Sequence, residues 1–297
     1  MYKLLGSIGI LIASISIVVA LPAPSSGGQV TKVTNSTIEN KNDDVNNKAT
    51  AGSVINSGIQ AKGGTITDST LTNTNIGVIN QADINSKVNS GIEANRATIT
   101  GSTITNDVQK TKDTAFDGST INSGVSANDA VIKNTSVISN TNKDVTNLAV
   151  TNSKINSGID ADGATLDNAT LTNVNTNVQN TAINGSKINS GISVVGSEVV
   201  GTTIENKNDG VINYAKDNST INSGVRADNA KLTNNKLIKN EVTGNSTNTA
   251  LGESHINSGI NLDKSEVKDS TITNTQNKVI NHAEGKSHVN SGVDLGE

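Results

Sequence analysis

The chain has 297 residues, of which 33% are hydrophobic and 1% aromatic, with no cysteine and a formal net charge of −4. These figures exclude a disulfide framework, a thiolate metal site and a Cys nucleophile. With no basic excess and almost no aromatic rings for stacking, they also argue against nucleic acid as a partner. The composition is dominated by Asn, Ser, Thr and Gly, which fits either a disordered polar chain or a repeat architecture.

In chain order, Lys3 precedes an apolar run from Leu4 to Ala20, followed by Leu21-Pro22-Ala23-Pro24. A short positive region, an apolar stretch and small residues read as a secretory signal, with Val18-Val19-Ala20 as the cleavage motif. The expected organisation is a signal peptide at 1–20, a flexible segment at 21–29 and a repeat domain over 30–297. The mature product is expected to be secreted, extracellular or at the cell surface, beginning near Leu21.

From residue 56 onward an Asn-Ser-Gly triplet recurs, starting at Asn56, Asn89, Asn122, Asn156, Asn189, Asn222, Asn257 and Asn290, at spacings of 33, 33, 34, 33, 33, 35 and 33 residues. Between these copies lie elements such as Ser69-Thr70-Leu71-Thr72-Asn73. Superimposing the two motifs halves the period, with aliphatic landmarks running from Ile38, Ile55 and Leu71 through to Val289. The average step is then near 16.7 residues. Two residues after each landmark, Asn and Ser alternate: Asn40, Ser57, Asn73, Ser90, Asn106, Ser123, Asn140, Ser157 and onward. Disorder places no demand on such a column, so the repeat is structural.

Short alternating stretches of β-branched residues indicate strands. A unit this small cannot bury its inner face alone and must stack on its neighbours. The expected fold is therefore all-β: a β-solenoid (β-helix) of about sixteen stacked coils with a 16–17 residue period, forming a rod of roughly 75 Å. Aromatic rings would not fit inside so narrow a coil. The glycines of the triplet, Gly58 and its equivalents, are expected at corners needing an unusual backbone. The Asn/Ser column is expected to form one internal polar ladder, like the stacked amides of cross-β assemblies.

Chemistry-bearing residues are few. His255, His282 and His288 all fall in the last two repeats, at positions occupied by unrelated residues elsewhere, and read as solvated variation. A tight repeat leaves no long loops from which to build a catalytic cleft. No enzyme activity, cofactor or metal is expected. The pairs Thr70/Thr72, Thr103/Thr105, Thr170/Thr172 and Thr271/Thr273 share a column and resemble the Thr-x-Thr face of ice-binding solenoids, but Val137/Ser139 and Thr203/Glu205 interrupt it.

The stacked coils, the Asn/Ser/Gly bias, the Asn-x-Ala elements and the export signal resemble bacterial surface-fibre proteins of the curlin and β-solenoid adhesin kind. That resemblance implies an extracellular structural role, in a biofilm matrix, surface fibre or adhesive stalk. It transfers no functional residue. The expected partner is a second copy of the chain, with cell-surface or matrix components as further partners. In this reading Val33 and Ile38 at one end, and Val289, Val293 and Leu295 at the other, complete a split coil in head-to-tail polymerisation. Ice binding is the alternative, and a carbohydrate-active enzyme a third.

Overall fold

A computed structural model describes residues 32–295, so the expected signal peptide at 1–20 and the flexible segment at 21–29 lie outside the described residues. The first turn of chain contains β1 (Lys32–Thr34), β2 (Thr37–Asp43), β3 (Asn46–Ala49), β4 (Val54–Asn56) and β5 (Ile59–Gln60). The next strand, β6 (Thr65–Thr67), pairs with β1 in parallel, and Lys32 lies beside Thr65. The same path repeats until five parallel sheets of eight strands each have formed. The fold is a parallel β-solenoid with eight turns of about 33 residues, and no helix occurs among the described residues.

The expectation of sixteen short coils is corrected by the register. Leu71 stacks on Ile104, and Val88 stacks on Ile121, so successive landmarks belong to different sheets of one turn. Two half-turns with similar inward patterns had been superimposed. Eight turns at about 4.8 Å per turn give a rod of roughly 38 Å, half the expected length.

Each strand alternates inward and outward side chains, as in Thr70–Ile76, the second turn's counterpart of β2, where Leu71, Asn73 and Asn75 are buried. The largest apolar cluster joins the columns that contain Ile59, Ala61, Ile66 and Leu71 along the rod. A second cluster stacks Ala82, Ala115 and Ala149 with Val88, Ile121 and Ile155. Buried polar columns lie between them.

Corners follow local chemistry. The corner after the first sheet is held by Asn35, Asp68, Gly101, Asn134, Asn168, Gly201, Asn234 and Asp269, all at positive φ. Gly has no Cβ penalty there, and Asn and Asp tolerate the left-handed region better than other residues. The longer turns place their extra residues at corners too: Asn134 and Thr135, both at positive φ, lie between strands Val131–Lys133 and Val137–Lys143.

The triplet glycines play a different part from the one expected. Gly58, Gly91, Gly124, Gly158, Gly191, Gly224 and Gly259 do not occupy the positive-φ region. They are required by close approach instead: a Cβ on Gly91 would fall on the carbonyl oxygen of Gly124 and within 2.8 Å of Ser123 C. The backbone of one turn rests directly on that of the next.

Candidate functional site

Four columns of Asn organise the solenoid, three of them internal. In the first, Asn40 Nδ2 donates to Asn73 Oδ1 at 2.7 Å, Asn73 to Asn106 at 2.7 Å, and Asn106 to Asn140 at 2.7 Å, continuing through Asn240 to Asn274 at 2.9 Å. The second hydrogen of each amide goes to a Ser carbonyl in the same turn, as from Asn73 to Ser90 O at 2.7 Å. The second column, Asn42, Asn75, Asn142, Asn175 and Asn208, follows the same rule, with Val108 and Val242 interrupting it. The third runs Asn47, Asn80, Asp113, Asn147, Asn180, Asn213, Asn248 and Asn281.

The expected single Asn/Ser ladder is thus two columns facing each other across the interior. Asn40, Asn73, Asn106 and Asn140 stack on one another. Ser57, Ser90 and Ser157 instead donate their hydroxyls to the third Asn column, as from Ser90 Oγ to Asn80 Oδ1 at 2.8 Å. Ser123 hydrogen-bonds Asp113 of its own turn, and its Oγ accepts from Asn80 Nδ2 at 3.2 Å, as Ser90 Oγ does from Asn47 at 3.3 Å. A shared period is the reason: an amide can link turns 33 residues apart, whereas Asn73 and Ser90 occupy one turn. Replacing Asn106 by Leu would strip partners from Asn73 Nδ2, Asn140 Oδ1 and Ser123 O. Added apolar burial offsets part of that loss, so the expected destabilisation is about 2 kcal/mol, read from the urea-unfolding midpoint. An unchanged midpoint would show that the ladder contributes nothing.

Donors in all three internal columns point toward the last turn. The fourth column, the Asn of each triplet, runs the other way: Asn89 Nδ2 donates to Asn56 Oδ1 at 2.7 Å, and Asn122 to Asn89 at 2.8 Å. It lies at the re-entrant corner between the fourth and fifth sheets, where a groove of about 440 Å³ is lined by both sheets across six turns. Sequence reasoning missed this groove, since a concave corner has no signature beyond the triplet itself.

One wall of the groove carries Lys87, Lys154 and Lys187, and the other carries Glu93, Asp160 and Asp162. Burial pushes the Asp160 carboxyl up to about 6, the adjacent Asp162 charge adds to this, and the Asn128 amide opposes it. Asp160 Oδ1 has no hydrogen-bond partner. Asp162 Oδ1 accepts from Ser193 Oγ at 2.6 Å and from the Val195 N–H at 2.8 Å. Elsewhere the wall is internally paired, by Lys62 with Glu93 at 2.7 Å and by Arg226 with Asp228 at 2.6 Å. Among the described residues, no group of three or more His, Cys, Asp or Glu side chains is arranged to hold a metal ion. His255 and His288 stack in the Lys154 column with ring centroids 6.2 Å apart, and His282 lies on the third sheet.

The end residues separate into two groups. In the first turn, Val33 is 8% exposed and Ile38 packs against the main apolar cluster. In the last turn, Val289 packs against the second cluster, while Val293 and Leu295 are 44% and 66% exposed. The Thr pairs lie on the second sheet, where Thr70 and Thr72 neighbour Thr103 and Thr105 before Val137 and Ser139 break the rows.

No family model matches the sequence, and no curated protein matches it. Among solved structures, the Streptococcus pneumoniae surface protein and adhesin PfbA is similar at 12% identity, over 84% of this chain and 91% of that one, with a TM-score of 0.16. The plasmid-mediated fluoroquinolone resistance protein QnrB1 is similar at 8% identity, over 77% and 92% of the respective chains, with a TM-score of 0.13. HetL, a pentapeptide repeat protein of the cyanobacterium Nostoc sp. strain PCC 7120, is similar at 10% identity over 73% and 88%, with a TM-score of 0.10. Likeness at this level assigns no function.

Proposed function

We propose that the protein is a structural, non-enzymatic subunit of an extracellular fibre, extending by stacking the last turn of one copy on the first turn of the next. The observation that carries this reading is the exposed face of the last described turn. Its inward residues Val267, Val293 and Leu295 are 40%, 44% and 66% exposed, and the strands Glu266–Lys268, Ile272–Gln276 and Val279–Glu284 have a described neighbour on one side only. Unpaired sheet edges with apolar side chains are templates for pairing with another chain.

The ladders give that pairing a direction. In the first Asn column, Asn40 at the first turn donates onward to Asn73, which makes its Oδ1 the acceptor end of that column among the described residues. At the last turn, Asn274 ends the donor direction of its column, with Asn240 behind it. Donors at one end and acceptors at the other suit head-to-tail contact, and a contact of that kind does not close on itself. A fibre of this type belongs in a biofilm matrix or on a cell surface, where adhesion to surface components is a secondary role.

Electron micrographs of the purified chain should show filaments with an axial repeat of about 4.8 Å by fibre diffraction. The double variant Val293→Asp, Leu295→Asp should leave isolated folded rods. Filaments that form equally well in this variant would reject end-to-end stacking. Ice binding stays the second reading, resting on the contiguous Thr rows of the second and third turns.

A further inference from the structure

The outward face of the third sheet differs in chemistry from its neighbours. One row of stacked residues runs Phe116, Val150, Ile183, Lys216 and Leu251. The row beside it runs Thr114, Leu148, Thr181, Tyr214 and Thr249. Phe116 and Tyr214 are the only aromatic residues among those described, apart from histidines, and both lie here rather than in the core. Along the third row Ile79 and Ile212 are 45% and 46% exposed. From the third to the seventh turn the face carries no carboxylate, and its two charges, Lys112 and Lys216, occupy the edge rows. Side chains of that length lay their stems on apolar surface and keep the ammonium in water. The second sheet, by contrast, exposes Glu39, Lys41, Glu205, Lys207, Lys239 and Glu241 among its threonines.

We propose that this face packs side by side against the same face of a second copy of the chain. Three physical points select that occupant. First, the side-chain rows step by one coil rise, about 4.8 Å, so a partner can interdigitate along the whole face only if it has the same rise, and a second copy supplies it. Second, five turns by five residues offer roughly 400 Å² of flat sheet per copy, or about 800 Å² for a pair before side-chain relief is counted. That lies at the weak end for a specific contact, in keeping with rods that pair reversibly. Third, rings and β-branched residues facing each other across stacked sheets gain more than their area alone, through offset aromatic contacts. The pairing is lateral and does not depend on end-to-end growth. Where growth occurs, the patch recurs along the filament and its weak contacts reinforce one another.

The test uses the full chain and the double variant Leu148→Lys, Tyr214→Lys. Both side chains point outward, so far-UV circular dichroism and the unfolding midpoint should match the parent. Sedimentation velocity across a concentration series, with end-to-end growth blocked by Val293→Asp and Leu295→Asp, should show a monomer–dimer equilibrium, weakened at least tenfold when Leu148→Lys and Tyr214→Lys are added. A control, Thr72→Lys on the second sheet, should pair as the parent does. The end variant Val293→Asp, Leu295→Asp should also pair, so loss of filaments and loss of lateral pairing are read separately. An end-blocked chain that stays monomeric at every concentration, or a lysine variant that pairs undiminished, would overturn the proposal. So would a face that binds only a different protein.

Discussion

Gly124→Ala should destabilise the solenoid by roughly 4 kcal/mol, at the upper end of what overpacking costs. The methyl group would fall on the carbonyl oxygen of Gly158, within 2.7 Å of Ser157 C and 2.8 Å of Gly158 N. All three are backbone atoms of the next turn, so no rotamer change relieves the clash. The turns must part locally, and parting them breaks the bonds from Ser123 N and Gly124 N to Asn156 O, now 2.8 and 2.9 Å long. The internal control is Gly292→Ala in the last turn, where the nearest atom to a new Cβ is Asn290 Oδ1 at 3.9 Å. That substitution should change the stability read from the urea midpoint by no more than a few tenths of a kcal/mol, since the site has room. Equal effects at the two sites would show that the stacked backbone is not what excludes a side chain.

Asp113→Asn should stabilise the protein by about 3 kcal/mol at pH 8 and by almost nothing below pH 4. Asp113 is fully buried in the third amide column, and burial raises its carboxyl from 3.8 to about 6, against opposing hydrogen bonds from Asn80, Ser123 and Ser157. Its surroundings are neutral amides and hydroxyls, so no cation compensates the ionised form. In this column each amide nitrogen donates to the next turn, as Asn80 does to Asp113 Oδ1 at 2.7 Å. A carboxylate can accept from Asn80 but cannot donate onward toward Asn147. A neutral carboxyl can. Because the folded pKa lies above the unfolded one, the native state binds the extra proton between pH 3.8 and about 6. Stability therefore falls as pH rises through that window and stays lowered above it. Urea midpoints of parent and variant should converge at pH 4 and diverge by pH 7. Asp160, also raised to about 6, keeps a residual dependence in the variant. A constant gap between the two proteins from pH 4 to 8 would mean that Asp113 stays ionised throughout.

The β-solenoid was legible because the landmarks and the Asn/Ser alternation hold register along the whole chain. Its period was not, because both halves of a turn present an aliphatic residue two places before a small polar one. The distinguishing clue was chemical. Asn40 and Asn73 have amides long enough to bridge turns, whereas Ser57 and Ser90 do not reach one another and serve the Asn47 and Asn80 column instead. Gly58 and its equivalents recur only once per 33 residues, which also marks the true unit. The groove was hidden for a different reason: it depends on how two sheets meet at a corner, and Lys154 and Asp160 look like scattered surface charge until that corner is built. Asp113 could have been found by aligning Asn47, Asn80 and Asn147 with it, since an acid in an amide column is a substitution with a cost.

Every ladder and every sheet in this molecule links a turn only to the turn before and the turn after it. Among the described residues nothing ties the first turn to the last, so no closure condition fixes their number of turns. Order can then spread along the chain from one finished turn to the next, each new turn laying its strands on an edge already in place. Such a chain can acquire structure progressively while it emerges from a narrow exit, since no part of it waits for a distant partner. The same property lets a rod of this cross-section gain or lose whole turns without any change to its remaining contacts.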